Sequence, residues 1–369
     1  MYKFSTVPKI IFGCGALEKL PSEIPADARV LIVSGKSAAA NKLVDKIAGL
    51  LAPRQVVCYT TVNPEPTIQQ VDEVRKIFRD FNATAVVAAG GGSALDTGKV
   101  VAAADKSTVP TAEYFFNRAS LPAQGCFMAA LPTTAGTGAE VTPNGVFSDI
   151  ESNIKQSIRG GSVLPSLALV DPELTLSCPA KVTAASGLDA LTQGIESYIA
   201  RNANNITQAL AMQGVRLINN AIEEVYSDGS NIYARSDMSE GTMLGAMAFA
   251  VSGLGAVHGL AHPLGAKLHL PHGLVCGILL PQILKWNYPV CRDELNDLAC
   301  FAGLPCAEAL IARTEELLEK FGIERKLSAY GLTGDDLPWI VSNSRSGSMR
   351  ANPRDLSDEE LTAILQEML

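Results

Sequence analysis

The sequence is poor in charge. Only 18% of its 369 residues are Asp, Glu, Lys or Arg, below the usual quarter, and no run of five or six like charges occurs. The net charge is −8 and the pI about 5.2. A nucleic-acid binder shows a basic stripe, and none is present, so nucleic acid is excluded as an expected partner. The eight cysteines are scattered and contain no C-x-x-C pair. With no secretory core or Arg-rich leader in MYKFSTVPKIIFGCG, they read as reduced thiols of a cytoplasmic protein. Long apolar runs are missing too. The most membrane-like stretch, Met243 to Val257, is shorter than the roughly 18 residues a spanning helix needs, so no membrane partner is expected.

Apolar residues make up 47% of the chain, ordinary for a folded protein, and the length suits two domains at roughly 150 residues each. The first half alternates apolar runs with helical stretches. VLIVSG (30–35), QVVCYTTV (55–62), ATAVVAAG (83–90), MAALPTT (128–134) and SLALVD (166–171) read as buried strands, with helices over 38–51 and 68–81. This alternation predicts a Rossmann-like α/β domain with a parallel sheet. Beyond Cys178-Pro179 the pattern is helical throughout, over 183–226, 231–269, 293–321 and 356–368. The expected domains are therefore 1–178, α/β and dinucleotide-binding, and 179–369, all-α and holding metal and substrate.

Three segments carry chemistry. Gly90-Gly91-Gly92-Ser93-Ala94-Leu95-Asp96 directly follows a predicted strand. Such a loop lets backbone approach a phosphate that then sits at a helix N-terminus. A plain strand-to-helix turn is the alternative, although one glycine would suffice for it. Leu131-Pro132-Thr133-Thr134-Ala135-Gly136-Thr137-Gly138 also follows a strand and offers small donors to the same ligand; alternatively it is an exposed polar loop. All four histidines, His258, His262, His269 and His272, lie within fifteen residues. His258 and His262 share a helix face, and His272 follows a proline at a loop or a new helix start. With Asp189 upstream, this clustering suits a divalent metal; histidines satisfied within the core are the alternative. No catalytic context is evident for any cysteine.

Together these segments resemble the iron-containing (group III) alcohol dehydrogenases, whose fold is that of the dehydroquinate synthase-like proteins. The resemblance spans nearly the whole chain through GGGSALDTGK, LPTTAGTGAEVTP, GLDALTQGIESY, HGLAHPLGAKLHLPHG and the NPR of 352–354. It implies reversible oxidation of an alcohol with NAD(H) or NADP(H) and one divalent ion, Fe²⁺ or Zn²⁺. The family's ligands are one Asp and three His. Asp189, His258 and His272 match, but the position four after the Asp is Gln193, a neutral and weaker donor. The resemblance places His262 beside the metal as the catalytic residue orienting substrate or relaying protons. It places Gly91, Gly92 and Ser93 on the pyrophosphate, Asp96, Thr133, Thr134 and Thr137 along the cofactor groove, and Lys155 at the ribose. NAD-preferring members often carry Asp at the end of the first strand, where this chain has Gly35 followed by Lys36. That favours NADP(H) or both cofactors, unless Gly35 is merely a turn residue.

Asn144, Arg345 and Ser348 are the candidate substrate residues. Ser342 to Arg350 holds two arginines and four serines just before the NPR, donors suited to an oxyanion. The stretch resembles phosphonoacetaldehyde-reductase-like members and points to an anionic aldehyde such as phosphonoacetaldehyde or sulfoacetaldehyde. Two alternatives stand beside it: a general short-chain aliphatic alcohol or diol dehydrogenase, and a metal-independent enzyme like the maleylacetate reductases. Family and low charge favour a homodimer.

Overall fold

The computed structural model describes residues 2–152 and 154–369. They divide into two compact units, Ser5–Cys178 and Pro179–Leu369, the latter joined by the first residues of the chain.

The first unit is built on a six-stranded parallel sheet in the order β1-β8-β5-β4-β2-β3. Its strands are β1 (Ile10–Phe12), β2 (Val30–Gly35), β3 (Val56–Val62), β4 (Ala85–Gly90), β5 (Phe127–Pro132) and β8 (Leu167–Val170). All six residues of β4 are buried, as expected of a strand covered on both faces. Side chains alternate accordingly. Leu31, Val33, Val86, Ala88, Met128 and Ala130 enter one core. Val30, Ile32, Ala85, Val87, Ala129 and Leu131 enter the other. Helices α1 (Leu20–Glu23), α2 (Lys36–Ala40), α3 (Leu43–Leu51), α4 (Ile68–Asp80), α5 (Gly92–Ala104) and α6 (Thr111–Phe115) connect the strands. Thr67 caps α4 by accepting from the Gln70 N–H. Gly98 lets α5 lie close on β4, because a Cβ there would meet Ala88 Cβ at 2.6 Å.

Two features of this unit differ from expectation. The helix predicted over 38–51 is two helices, broken where Lys42 takes a positive φ of 58°. A two-stranded antiparallel hairpin, β6 (Asn144–Asp149) with β7 (Ile154–Arg159), was not foreseen. The short strand β1 also escaped the reading.

The second unit has no strand among the described residues. It contains α7 (Ala180–Ile199), α8 (Asn205–Ser227), α9 (Ile232–Ser252), α10 (Ala256–Leu268), α11 (His272–Phe301), α12 (Ala307–Lys320), α13 (Leu337–Asn343), α14 (Gly347–Ala351) and α15 (Asp358–Gln366). The helix predicted over 183–226 breaks before Asn204, which caps α8 in a reciprocal box with Thr207. That over 231–269 breaks at Gly253, whose φ is 80°. Helix α11 runs through 272–292, a stretch without a predicted helix, and carries Pro281 and Pro289 inside it with a kink at Cys291. Backbones approach closely at α8 and α9, where a Cβ on Gly214 would lie 2.7 Å from Gly241 O. Among the described residues no single helix is long and apolar enough to cross a membrane. The apolar stretch around 243–257 is the end of α9 and the start of α10, bent by 101°.

Candidate functional site

In the α/β unit, the glycine loop and the threonine loop form one cradle. Gly90 ends β4 with φ 156°, and a Cβ there would meet Ala94 Cβ at 2.8 Å, so the position requires glycine. The Thr133 N–H donates to Gly90 O at 3.0 Å. A Cβ on Gly91 would lie 3.5 Å from Thr134 Oγ1, and one on Gly92 2.9 Å from Thr137 Oγ1. Gly91 is the N-cap of α5, whose first turn leaves N–H groups without intrahelical partners beside the positive end of the helix dipole.

The residues around this cradle are held in place by one another. Ser93 donates its hydroxyl to Pro64 O. Lys155 pairs with the adjacent Glu65 at 2.8 Å. Asp96 was expected to line the groove, yet both its oxygens are engaged internally: Oδ1 with Lys99 Nζ at 2.9 Å and Oδ2 with the Val146 N–H at 2.9 Å. Lys99, fully buried, also donates to Ala139 O at 2.8 Å and to Thr142 O at 3.3 Å. Asp96 and Lys99 thus tie α5 to the threonine loop and to β6, where Asn144 opens the hairpin half-buried. Burial raises the Glu140 carboxyl from 4.5 to about 7, against the backbone hydrogen bond and the Lys99 charge that pull it down. At the end of β2, Gly35 caps α2, and Lys36 is exposed.

In the helical unit, α7 supplies Asp189 and, one turn on, Gln193, both buried. Helix α10 supplies His258 and His262. Helix α11 begins at His272, behind Pro271, and carries Cys276 one turn later. Its approach to α7 depends on two glycines: a Cβ on Gly273 would stand 2.2 Å from Ala185 O, and one on Gly277 2.7 Å from Leu188 Cδ1. The ligand-capable atoms of Asp189, His258, His272 and Cys276 all lie within 4.8 Å of one another. His258 Nε2 is 3.3 Å from Asp189 Oδ1, and His272 Nε2 is 4.0 Å from it. Cys276 Sγ is 3.6 Å from His272 Nε2 and 3.9 Å from His258 Nε2. Glu196 accepts from His258 Nδ1 at 2.7 Å and from the Val257 N–H at 2.7 Å. This orients the ring, so that Nε2 is turned to the cluster. His262 stacks on His272 at 5.0 Å with 20° between ring planes. His269 is exposed at the end of α10.

The electrostatics of this cluster call for a cation. Asp189 Oδ1 and Gln193 Oε1 are buried acceptors without a hydrogen-bond donor, a costly condition. Burial opposes charge on His258, but Cys276, Asp189 and Glu196 outweigh it and lift its pKa well above the usual value. Asp189 is pulled down in turn: burial acts to raise it, and the neighbouring imidazoles of His258 and His272 prevail. Burial pushes the Cys276 thiol up to about 12. A proton held among these groups is what a divalent ion displaces on binding, and the donor set fits one. Cys276 was missed by the sequence reading, which looked for cysteine pairs. The available signal was His272 and Cys276 four apart, the same spacing as His258 and His262.

The basic stretch after α13 proves largely structural. Arg345 donates from Nη1 to Leu356 O at 2.7 Å, and its Nη2 pairs with Asp358 at the start of α15. Its donors are thus turned to protein groups rather than offered to an oxyanion as expected. Ser348 is half-buried on α14, and Met349 packs where a Cβ on Gly259 of α10 would lie, at 2.8 Å. Arg350 is exposed and, with Arg345, Met349, Asp355 and Leu356, lines a cavity of about 270 Å³. In the NPR motif, Asn352 pairs reciprocally with Asn287 through two 2.9 Å hydrogen bonds and accepts from the Ala256 N–H at 3.1 Å. It secures the N-terminus of the helix bearing His258.

Residues 8–172 match the family described as iron-containing alcohol dehydrogenase. Residues 183–369 match the C-terminal part of the Fe-containing alcohol dehydrogenase family. Alcohol dehydrogenase 4 of Saccharomyces cerevisiae is 33% identical over 377 residues, covering 99% of this chain and 97% of that protein. The 1,3-propanediol dehydrogenase of Klebsiella pneumoniae is 33% identical over 378 residues, covering 98% and 97%. The crystal structure of sulfoacetaldehyde reductase from Bifidobacterium kashiwanohense in complex with NAD⁺ superposes with TM-score 0.96 at 26% identity, covering 100% of this chain and 98% of that one.

Proposed function

Because the chain belongs to the iron-containing alcohol dehydrogenase family, we propose that it interconverts a small primary alcohol and its aldehyde, with Asp189, His258 and His272 holding the divalent ion. The enzyme is an NAD(P)-dependent oxidoreductase acting on CH–OH groups. The observation that carries the reading is the buried cluster of ligand atoms within 4.8 Å of one another, with acceptors that no protein donor satisfies. When bound, the ion supplies Lewis-acid polarisation of the carbonyl, or a lowered pKa of the alcohol in the reverse direction.

The chain's own residues do the remainder. Glu196 holds the His258 ring. Gly91, Gly92 and Ser93 receive the pyrophosphate at the start of α5, and Thr133, Thr134 and Thr137 line the same groove. Asp96 keeps the groove's walls in register through Lys99 and Val146. Lys155 borders the ribose, and Lys36, next to a glycine that carries no carboxylate, admits a 2′-phosphate. His262, stacked on His272, orients the substrate and relays a proton to or from its oxygen. Asn144 and Ser348 contact the substrate. Low charge suits a homodimer, and the scattered cysteines suit the cytoplasm.

The test is steady-state oxidation of NADH and NADPH with propanal and 3-hydroxypropanal, before and after chelation. Activity lost on chelation and restored by Fe²⁺ or Zn²⁺ supports the reading; activity indifferent to chelation returns the chain to the metal-independent type. A second reading, an anionic aldehyde, is favoured by the exposed Arg350 at the 270 Å³ cavity and by likeness to a sulfoacetaldehyde reductase. It requires a kcat/KM preference of about a hundredfold, roughly 2.7 kcal/mol, for sulfoacetaldehyde or phosphonoacetaldehyde over propanal. Equal values exclude it.

A further inference from the structure

Resting on the reading of Asp189, His258 and His272 as ligands, we propose that the thiolate of Cys276 is the fourth protein ligand of the same ion. The site would then be an Asp-His₂-Cys set with one sulfur donor.

The distances already outline a coordination polyhedron. With metal–sulfur bonds of about 2.3 Å and metal–nitrogen or –oxygen bonds of about 2.0–2.1 Å, the edges of a tetrahedron are about 3.3–3.6 Å. The observed edges are 3.3 Å from His258 Nε2 to Asp189 Oδ1 and 3.6 Å from His272 Nε2 to Cys276 Sγ. Two further edges, 3.9 and 4.0 Å, lie slightly outside, and every edge is within 4.8 Å. A small contraction closes the figure.

A cysteine acting as an apolar filler sits among apolar atoms. Cys276, wholly buried, instead faces two imidazole nitrogens. Its one S–H proton is the only donor the cysteine can offer, and it is far too weak to satisfy Asp189 Oδ1 and Gln193 Oε1 together. One turn of α11 separates His272 from Cys276, so both side chains project to the same face. The glycine-mediated contact of α11 with α7 holds that face against Asp189.

The step is a simple exchange. The S–H bond breaks, a sulfur–metal bond forms from the sulfur electron pair, and the proton leaves to solvent. Nothing is oxidised or reduced. An ion's charge makes a coordinating thiol deprotonate outright. A thiolate also biases the site toward softer ions such as Zn²⁺ and Co²⁺ over Mn²⁺.

The experiment uses the full chain, stripped of metal and titrated anaerobically with Co²⁺. One equivalent should bind with visible d–d bands and a thiolate-to-cobalt band in the near ultraviolet. Cys276→Ser should lose the near-ultraviolet band and bind Zn²⁺ about a hundredfold more weakly, whereas Cys291→Ser should keep both. X-ray absorption of the Zn²⁺-loaded wild type should show one sulfur at about 2.3 Å, and this decides the matter even if Cys276→Ser does not fold. Stoichiometric Co²⁺ with no thiolate band and no sulfur neighbour overturns the thiolate ligand and leaves Asp189, His258 and His272 standing. No stoichiometric binding overturns both.

Discussion

The cradle at the start of α5 and the cluster between α7, α10 and α11 solve opposite problems. In the cradle, polar groups close on one another. Asp96 meets Lys99, Lys99 meets two carbonyls, and Ser93 meets Pro64. These side chains need no ligand to be satisfied, and an incoming dinucleotide finds the loop's shape already made. In the cluster, two buried oxygens, on Asp189 and Gln193, stay without a hydrogen bond. That region is complete only with a cation. One half of the chemistry is thus built into the fold, and the other is lent by the ion. Removing a ligand from the first should leave the local structure as it is, whereas removing the ion from the second leaves a buried electrostatic deficit.

This contrast can be broken or sharpened in several ways. The largest effect is expected for Asp189→Asn, which removes the negative charge from the cluster. Its kcat/KM should fall at least about 10³-fold, roughly 4 kcal/mol, with metal content near zero by elemental analysis. Retained metal and activity would mean the charge is dispensable. Next comes Glu140 in the threonine loop. Its folded pKa of about 7 lies above the ordinary 4.5. A raised acid favours the folded state while protonated, so its contribution is whole below about pH 4.5 and is lost as pH climbs through 7. Relative to Glu140→Gln, the wild type should lose about 3 kcal/mol across that window. Parallel stability curves for the two proteins would refute the shift.

Chelation should act on one region only. At an ion concentration a hundred times its dissociation constant, binding adds about 2.7 kcal/mol. Hydrogen exchange should accelerate in α7, α10 and the first turns of α11 on removal, with β4 and α5 unaffected. Uniform acceleration would mean that the two regions respond alike. The smallest effect belongs to Asn352→Ala, which leaves Asn287 and the Ala256 N–H short of a partner. It should cost about 1–3 kcal/mol in denaturant unfolding and weaken metal binding more than cofactor binding. The reverse order would place the NPR motif with the cofactor.

The parts of the molecule that were legible in the sequence share a physical trait. Strands buried on both faces appear as unbroken apolar runs, so β2, β4 and β5 were read directly. Strand β1 has three residues, and β6 and β7 alternate polar side chains along a hairpin with no Asn-Gly or Asp-Gly turn, so neither gave a signal. Pro281 and Pro289 disguised the middle of α11, because a proline normally ends a helix. Here the helix tolerates them at the expense of a kink at Cys291. The histidine cluster and Asp189 were visible as motifs. Cys276 was not, because its significance depends on α11 starting at His272. Arg345 looked like an anion ligand by composition, and only its contact with Leu356 and Asp358 shows it as a brace.

The ligand atoms come from places far apart along the chain: Asp189 on α7, and His258, His272 and Cys276 some 70–90 residues later. Closing so long a loop carries an entropy cost that must be met before Asp189 reaches the other three. The polyhedron therefore exists only after α7, α10 and α11 have docked, and the ion is a late arrival rather than a template. Such an element acts as a latch in time: it leaves the rate of folding alone and slows the rate of coming apart.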